Sequence, residues 1–310
     1  MNKLLAIVGP TASGKTSLAI DVAEMMHGQI LSCDSMQVYR GMDIGTAKAS
    51  PAEQARIKHH LIDIVEPTED FSVAQYQRLA QNTIRKLNQS GFVPILVGGT
   101  GLYYQAVVDD YQFYPLAKRQ ASRDYWNKMV TIYGLDFAYG RLQEVDPEYA
   151  AIIGAKDQKR IVRALEVFDL TGEPFSRHQV RQRGNYELVA VGLSMERDEL
   201  YGRIEKRIDD MLEKGLVEEV MKLRQQGCTL KHTSMQALGY KQVMYYLEGF
   251  ITRPTMIAEI KRETRHFAKR QLTWFKKDRR IVWLQPHEYG NIDRLVKNIS
   301  LAMAGQIWGL

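Results

Sequence analysis

Residues 9–16 (GPTASGKT) constrain the fold of this chain more than any other part of its sequence. They match the pattern GxxxxGK followed by Ser or Thr, and they lie between an apolar run at residues 4–8 and a stretch with helical spacing. In such a loop the glycines let backbone N–H groups converge on phosphate oxygens, and the helix N-terminus adds partial positive charge. The motif therefore predicts a phosphate-binding loop. Its residues are Gly9, Pro10, Thr11, Ala12, Ser13, Gly14, Lys15 and Thr16.

Within this loop, Lys15 supplies a full positive charge and Thr16 offers its hydroxyl to a magnesium ion. The motif does not distinguish ATP or GTP from another diphosphate ester. The run ILVGGTG ends in glycines, whereas motor-type and GTPase-type enzymes end such a strand in a magnesium-binding Asp. Asp34 follows another apolar run, where it holds a metal indirectly, acts as a base toward a substrate nucleophile, or caps the next turn.

Further short apolar runs alternate with helical patterns along the chain. The runs are residues 29–33, 59–65, 94–99, 187–193 and 280–284. The helical patterns are residues 72–87, 197–214, 217–226, 234–248 and 254–276, and a terminal helix is expected after the last run. This alternation predicts an α/β fold, a parallel sheet flanked by helices of the type found in P-loop NTPases.

Strand patterns are absent between residues 113 and 186, where the spacing is helical. The apolar positions expected to form helix faces are Tyr125, Met129, Ile132, Ile161, Leu165 and Phe168. We therefore predict a core at residues 1–112, a helical insertion domain at 113–186 and a second part of the core at 187–310.

Composition narrows the class of protein. The chain has 310 residues, a net charge of +6 and two cysteines, Cys33 and Cys228, too few for a disulfide framework or a thiolate zinc site. We expect a cytoplasmic protein with no membrane partner, because the glycine loop interrupts the first apolar run. Nine Lys or Arg residues between Lys261 and Arg280 face only two acidic ones, which favours a polyanionic partner.

Residues 34–48 (DSMQVYRGMDIGTAK) strongly resemble the DSxQxYxxxxIGTAK signature of tRNA dimethylallyltransferases, also called tRNA isopentenyltransferases. The blocks GGTGLYYQA (98–106), DQKRIVRALEVF (157–168), QALGYKQ (236–242) and KRQLTWFK (269–276) resemble later family blocks in the same order. The resemblance covers nearly the whole chain. Because the zinc-finger extension of eukaryotic members has no counterpart here, it implies a bacterial-type enzyme.

The resemblance implies a reaction. Dimethylallyl diphosphate would bind the glycine loop with Mg²⁺, and its prenyl group would pass to N6 of the adenosine beside the anticodon without consumption of ATP. N6 of adenine is a poor nucleophile, so the site must stabilise the departing pyrophosphate and accept a proton. An adenosine stacked in the anticodon loop must also be flipped out, which costs a few kcal/mol.

The resemblance also implies roles for particular residues. Asp34 is the expected general base at N6, with Thr100 beside it, and Lys15 completes the catalytic set. Ser35, Met36 and Gln37 are expected to contact the nucleotide. Arg207 is expected to reach the diphosphate in preference to Arg203, for which a surface pair with Glu is an equal alternative.

Contacts to the anticodon stem-loop of tRNA are expected from two further groups of residues. Basic side chains would neutralise phosphates, and Trp274 would either stack on a base or anchor the core. In the helical insertion the group is Arg123, Gln158, Lys159, Arg160, Ile161, Val162 and Arg163. In the second part of the core it is Lys241, Lys269, Arg270, Gln271 and Trp274.

Three alternatives stay open on sequence alone. A nucleoside or small-molecule kinase shares the glycine loop and an Asp after the second strand, although it has no need of a basic helical surface. A prenyltransferase acting on free adenine nucleotides needs the same chemistry without RNA. A non-catalytic RNA-binding module is the third. We expect the chain to act as a monomer.

Overall fold

Six parallel strands form the sheet that the described residues contain, in the spatial order β3-β2-β4-β1-β5-β6. The strands are β1 (Asn2–Val8), β2 (Gly28–Ser32), β3 (His59–His60), β4 (Val93–Gly98), β5 (Tyr186–Leu193) and β6 (Ile281–Leu284). The predicted α/β class with a parallel sheet is confirmed. The computed structural model describes residues 1–111, 113, 120–178, 184–285 and 292–303.

The helices in chain order are α1 (Lys15–Met25), α2 (Pro51–Arg56), α3 (Val73–Gln89), α4 (Gly101–Val108), α5 (Gln120–Tyr133), α6 (Leu135–Val145), α7 (Pro147–Ile153), α8 (Gln158–Thr171), α9 (Arg197–Glu213), α10 (Leu216–Gln225), α11 (Tyr240–Leu247), α12 (Arg253–Phe275) and α13 (Ile292–Met303). The chain divides into two compact units. The sheet unit comprises Met1–Val108 and Gly184–Leu310, and the helical unit comprises Asp109–Arg183. The predicted insertion, 113–186, includes residues 114–119 and 179–183, which lie outside the described residues.

Strand β1 is apolar from Leu4 to Val8 because this part is buried on both faces of the sheet. Leu4 and Ala6 belong to one core cluster, whereas Leu5 and Ile7 belong to the other. This alternation is the period of two that a pleated strand imposes. Helices α1 and α13 supply side chains to the second cluster, and α3, α4 and α9 to α12 supply the first.

The edge strand β3 is shorter than predicted. The sequence favoured a strand over residues 59–65, but only His59–His60 pairs with β2. Leu61 and Asp63 have φ values of 64° and 52°, so the backbone leaves the extended region directly after His60. Val65 still forms an isolated parallel bridge with Tyr39. The apolar pattern was therefore right about burial and wrong about the conformation.

The helix predicted over residues 234–248 is interrupted. A 3₁₀ turn spans Ser234–Gln236, and α11 begins only at Tyr240. Gly239, with φ of 89°, precedes α11 in a conformation that favours glycine. The interruption places Ala237, Leu238 and Gly239 in the wall of the cavity described below.

The helical unit has a core of its own, formed by Trp126, Leu142, Ile161 and Leu165 among others. Of the three positions predicted for the buried face of α5, Met129 packs against this core, and the prediction was wrong for the other two. Tyr125 and Ile132 are 51% and 54% exposed, whereas Trp126 is buried and donates its indole N–H to Asp169 at 2.7 Å. Apolar residues spaced three and four positions apart also occur on the neighbouring face of α5, one residue further along the chain. Periodicity alone therefore did not identify the buried face.

Candidate active site

A cavity of about 410 Å³ lies at the carboxyl ends of β1, β2 and β4. In open parallel sheets ligands bind at this edge, where consecutive loops diverge. The loop after β1 contributes Thr11, Lys15 and Thr16 to the cavity wall. Asp34, Ser35, Met36 and Gln37 follow β2, and Gly98, Gly99 and Thr100 end β4 and begin the next turn. Helices α9 and α12 supply the remaining side.

The glycine loop connects β1 to α1, as the motif predicts. Gly9 has φ of 145°, and a Cβ atom there would lie 2.7 Å from the carbonyl oxygen of Leu193. Gly14 adopts a left-handed conformation directly before α1, so the helix N-terminus opens onto the cavity. The Lys15 ammonium donates to the Pro10 carbonyl oxygen and to the Ser13 hydroxyl at 3.4 Å. The Lys15 side chain therefore folds back onto its own loop.

Lys15, Arg207 and Asp34 lie close together in this cavity. Burial, reinforced by the neighbouring Arg207 and opposed by Asp34, lowers the pKa of Lys15 to about 7. Burial also lowers the pKa of Arg207. The cost of burying two positive charges is only partly offset by one negative charge. A bound polyanion would supply the missing charge, so this corner is suited to a diphosphate.

Asp34 is held at the end of β2. Its Oδ1 accepts a hydrogen bond from the Met36 N–H at 2.8 Å, so the turn-capping alternative describes one of its contacts correctly. Burial raises the pKa of the carboxyl, although the N–H groups of Met36 and Gln37 and the charges of Lys15 and Arg207 oppose the shift. A carboxylate with a raised pKa is a stronger base than an exposed one, which suits it for proton abstraction.

Thr100 is tied to the same turn. Its hydroxyl oxygen accepts from the Ser35 N–H at 3.0 Å, and its own N–H donates to the Cys33 carbonyl oxygen at 3.1 Å. The close approach requires glycine at position 98, where a Cβ atom would lie 2.1 Å from that same carbonyl oxygen. The two turns that the sequence placed far apart therefore form one unit. Cys33 is fully buried beside them.

Gln37 joins this turn to the IGTA segment, residues 44–47. Its amide oxygen accepts from the Ser32 hydroxyl at 2.7 Å, and its amide nitrogen donates to the carbonyl oxygens of Thr46 and Ala47 at 3.2 and 3.3 Å. Because the Gln37 amide is used inside the protein, the structure gives it a role in shaping the wall, and its contact with the nucleotide stays a prediction.

Glu219, which the sequence did not single out, anchors the other end of the IGTA segment. Its carboxylate accepts from three consecutive backbone N–H groups, at 3.0 Å from Asp43, 2.8 Å from Ile44 and 3.3 Å from Gly45. The Tyr240 hydroxyl donates to the same carboxylate. Burial and this carboxylate raise the pKa of Tyr240, so the phenol remains protonated as a donor. Such charge-assisted bonds fix the loop strongly.

An apolar wall completes the cavity, and sequence reasoning did not assign it to the site. The wall is formed by Ile204, Ile208, Met211, Leu216, Ile260 and Phe267. The spacing of the three α9 residues, four and three positions apart, indicated a buried helix face. Periodicity does not reveal whether such a face meets a core or a ligand, so no signal in the sequence distinguished the two.

The two arginines of α9 occupy different environments. Arg207 lines the cavity, whereas Arg203 is exposed and pairs with Glu199 at 2.8 Å, one helical turn away. Of the predicted phosphate loop, Thr11, Lys15 and Thr16 line the cavity. Gly9, Pro10, Ala12, Ser13 and Gly14 complete the loop's backbone without lining the wall.

The predicted RNA-contacting residues of α11 and α12 are not equivalent. Arg270 and Gln271 line the cavity, and Lys269 is exposed nearby on the same helix. Lys241 lies over the ring of Tyr245, with its nitrogen 5.6 Å from the centroid. Trp274 is half-buried against Gly101, where an added Cβ atom would lie 2.2 Å from the indole. The core-anchor alternative for Trp274 thus describes its observed packing.

In the helical unit, the predicted RNA-contacting arginines are held by carboxylates. Glu166, whose side chain is 8% exposed, accepts from Arg123 at 2.8 Å and from Arg163 at 2.9 Å. Arg160 pairs with Asp157 at 3.3 Å. Gln158 and Lys159 are exposed in the first turn of α8, whereas the side chains of Ile161 and Val162 are buried in the core of the unit. The side chains of Ile161 and Val162 are therefore not accessible to RNA.

No helix in the part of the chain that the structure describes is long and apolar enough to cross a membrane.

Comparison with known proteins gives consistent matches. A family model described as IPP transferase matches residues 37–278. A tRNA dimethylallyltransferase of Syntrophomonas wolfei subsp. wolfei is 58% identical over 306 residues, covering 99% of this chain and 99% of the relative. Another, of Caldanaerobacter subterraneus subsp. tengcongensis, is 43% identical over 310 residues, covering 98% of each. The crystal structure of the full-length tRNA isopentenylpyrophosphate transferase of Bacillus halodurans has a TM-score of 0.74 and 42% identity, covering 98% of this chain and 96% of that one.

Proposed function

The chain belongs to the IPP transferase family, which includes tRNA dimethylallyltransferases, and from this premise we propose that it transfers a dimethylallyl group from dimethylallyl diphosphate to N6 of the adenosine 3′ to the anticodon of tRNA. Pyrophosphate is the other product. Family membership makes the chain a tRNA-modifying prenyltransferase, which replaces the kinase and the non-catalytic RNA-binding module as alternatives.

One observation carries the proposal at the level of residues. A single cavity joins a phosphate loop and two buried cations, Lys15 and Arg207, to a carboxylate that is suited to act as a base. Lys15 and Arg207 stand on the diphosphate side, and Asp34 and Thr100 stand on the nucleotide side. Both halves of a transfer reaction are thereby supplied within one enclosure.

The chemistry balances with these groups. N6 of adenine attacks C1 of the dimethylallyl group, a C–N bond forms, and the C–O bond to the diphosphate breaks with its electron pair on oxygen. Lys15 and Arg207 stabilise the charge that develops on the leaving group. Asp34 takes the proton that N6 loses. The apolar wall excludes water, which would otherwise compete for the activated carbon.

Magnesium is the proposed cofactor, and the available donors fit it. The Thr16 hydroxyl lies on the cavity wall beside Lys15, where a magnesium ion would take a protein oxygen together with diphosphate oxygens and water. Among the described residues no group of three or more His, Cys, Asp or Glu side chains is placed to hold a metal. When bound, the ion would neutralise the diphosphate and favour its departure.

For RNA we propose that the adenosine is flipped from the anticodon loop into the cavity beside Asp34 and Thr100. Arg270, at the cavity wall, is placed to meet a phosphate near the entering nucleotide. We further propose that the enzyme acts as a monomer in the cytoplasm. One chain supplies the residues that line the described cavity, and both cysteines are free thiols.

The test is direct. The protein is incubated with Mg²⁺, dimethylallyl diphosphate labelled in the prenyl group, and an unmodified anticodon stem-loop, and label in the RNA is measured. We expect transfer to the stem-loop and none to adenosine monophosphate. A folded protein that labels neither substrate contradicts the proposal, and labelling of the mononucleotide alone would instead identify a prenyltransferase of free nucleotides.

A further inference from the structure

Gln271 contacts two different loops of the cavity from its position on α12. Its amide oxygen accepts from the backbone N–H of Thr11 at 2.8 Å, and its amide nitrogen donates to the carbonyl oxygen of Gly99 at 2.9 Å. The residue is only 6% exposed. Thr11 and Gly99 are more than 85 positions apart in sequence, and the Gln271 side chain bridges them directly.

These two loops carry opposite halves of the proposed reaction. Thr11 belongs to the glycine loop, which also contains Lys15 and Thr16 on the diphosphate side. Gly99 immediately precedes Thr100, whose hydroxyl accepts from the Ser35 N–H on the nucleotide side. One amide group therefore connects the backbone that holds the leaving group to the backbone that holds the attacking amine.

The surroundings of Gln271 are shaped to this contact. A Cβ atom at Gly99 would lie 2.0 Å from the Gln271 amide nitrogen, so any larger residue there would displace the amide. Gly99 has no left-handed backbone requirement, and close approach by Gln271 is the contact that demands glycine. A glutamine side chain ends in a carbonyl oxygen that accepts hydrogen bonds and an NH₂ group that donates them, and Gln271 uses both groups. The amide oxygen and one amide hydrogen are thus engaged within the protein.

We propose that Gln271 is a positioning residue, which sets the distance between the diphosphate loop and the turn that presents the attacking N6. This inference rests on the proposed function and replaces the prediction that Gln271 contacts tRNA. A transfer reaction depends steeply on the separation and angle of its reacting atoms, so a brace between the two loops acts on the rate of the bond-forming step. Substrate affinity depends on each loop separately and is affected little.

The first test replaces the amide without changing side-chain length greatly. Gln271→Met removes both hydrogen bonds, and Gln226→Met, at an exposed glutamine outside the cavity, is the matched control. Single-turnover transfer is measured with saturating donor and stem-loop. We expect Gln271→Met to slow transfer by about 100-fold, the loss that a misplacement of about 1 Å produces. Gln226→Met should match the wild type.

Binding measurements separate this role from RNA contact. Affinity of the stem-loop without donor and affinity of pyrophosphate are measured for the same variants. We expect both dissociation constants of Gln271→Met to change less than about threefold. A stem-loop dissociation constant that rises tenfold or more with an unchanged single-turnover rate would identify an RNA contact and overturn the proposal. A rate within about threefold of wild type overturns it as well.

A second variant keeps the test informative if Gln271→Met folds poorly. Gly99→Ala should displace the amide of Gln271 and slow transfer, whereas Gly99→Ala combined with Gln271→Ala should cost little more than Gln271→Ala alone, because the space is then free. Strict additivity of the two effects on the rate contradicts a shared role. Wild-type protein without any transfer would remove the proposed function itself, and these comparisons would then not arise.

Discussion

Cationic side chains have fewer carboxylate partners in the cavity of the sheet unit than on the helical unit. Lys15 and Arg207 share one neighbouring carboxylate, and burial lowers the pKa of both. In the helical unit Arg123 and Arg163 both bond to Glu166, and Arg160 pairs with Asp157. The cavity therefore holds positive charge at a cost that an anionic substrate relieves. The helical unit presents guanidinium groups whose charge is already largely compensated.

Because of this difference, the cavity can gain more free energy from binding an anion than the helical unit can. A buried cation whose charge is only partly compensated gains much from a diphosphate, because the charges meet away from water. An exposed arginine with a carboxylate partner gains much less from an RNA phosphate, since solvent and salt screen the contact. We therefore expect single substitutions in the cavity to have large effects and single substitutions in the helical unit to have small ones.

Asp34→Asn should have the largest effect. The amide keeps the shape of the side chain but cannot accept the N6 proton, so kcat should fall by about 10² to 10⁴. Removal of the negative charge leaves Lys15 and Arg207 with no opposing carboxylate, so pyrophosphate should bind as tightly as before or more tightly. Steady-state transfer and calorimetric titration with pyrophosphate measure the two effects.

Asp136→Asn, at an exposed aspartate of α6, is the control for Asp34→Asn and should behave as the wild type. Transfer by Asp34→Asn at the wild-type rate would remove the base assignment without affecting the fold. Pyrophosphate binding that is lost together with transfer would show that the carboxylate serves the diphosphate side.

Lys15→Met should weaken pyrophosphate binding by about 10- to 100-fold, the effect of losing a charge-assisted contact of 1.5–3 kcal/mol. It should also raise the thermal midpoint of the empty protein. The folded pKa of about 7 lies below the ordinary value of 10.5, so unfolding takes up a proton between these values. Wild-type stability therefore rises as pH increases from 7 to 10.5, and the advantage of the variant is greatest below pH 7.

Thermal scans of both proteins from pH 6 to 10, with and without pyrophosphate, test this prediction. Lys128→Met, at an exposed lysine of α5, should show no pH-dependent difference from the wild type. A lower midpoint for Lys15→Met at pH 6 in the empty protein would mean that the lysine is not held at a cost. The comparison with the helical unit would then fail.

The two regions also differ in how far sequence predicted them. The glycine loop is local: eight consecutive residues between a strand and a helix specify its shape, and the structure has that shape. The predictions for Asp34 and Thr100 rested on family resemblance, and the structure brings both to one turn. What could not be predicted lies in long-range contacts. Glu219 meets Asp43 at a distance of 176 positions, and Gln271 meets Thr11 at 260.

In the helical unit, local pattern predicted the helices and the buried face of α8, where Ile161 and Leu165 lie in the core, but not the orientation of α5. Tyr125 and Ile132 were assigned to the buried face of α5, and Trp126 occupies it. The side chains of Ile161 and Val162, which were predicted to contact RNA, are buried in the core instead. The neighbours of a helix decide which stripe is covered, and those neighbours are distant in sequence. Partners such as Glu166 for Arg123 were hidden for the same reason.

Glu166→Gln should have an intermediate effect, on the helical unit rather than on chemistry. The amide retains the shape of the side chain but no longer neutralises Arg123 and Arg163. We expect the free energy of unfolding to fall by about 1–3 kcal/mol, the contribution of hydrogen bonds to a charged group. The salt dependence of stem-loop binding should become steeper by about one unit of slope, because one more positive charge faces the RNA.

Denaturant unfolding and stem-loop binding between 50 and 200 mM salt measure these two effects. Glu144→Gln is the control, since that carboxylate is exposed and pairs with Arg141 on the same helix. An unchanged salt slope together with weaker binding at every salt concentration would show that Glu166 orients the arginines and does not neutralise them. The two regions would then differ in geometry instead of charge.

Arg160→Gln should have the smallest effect. Its guanidinium is half exposed and pairs with Asp157 at 3.3 Å, so folding stability should change by less than about 0.5 kcal/mol. If Arg160 contacts a phosphate, the affinity of its Gln variant for the stem-loop should fall a few-fold at low salt, and the salt slope should decrease by about one.

Arg141→Gln is the control, because Arg141 is an exposed arginine that pairs with Glu144 and lies outside the predicted RNA-contacting set. This variant should leave the salt slope unchanged. Equal slopes for the two variants would mean that α8 offers RNA no more than any basic surface. A loss of transfer as large as that of Asp34→Asn would place the decisive charge in the helical unit and reverse the comparison.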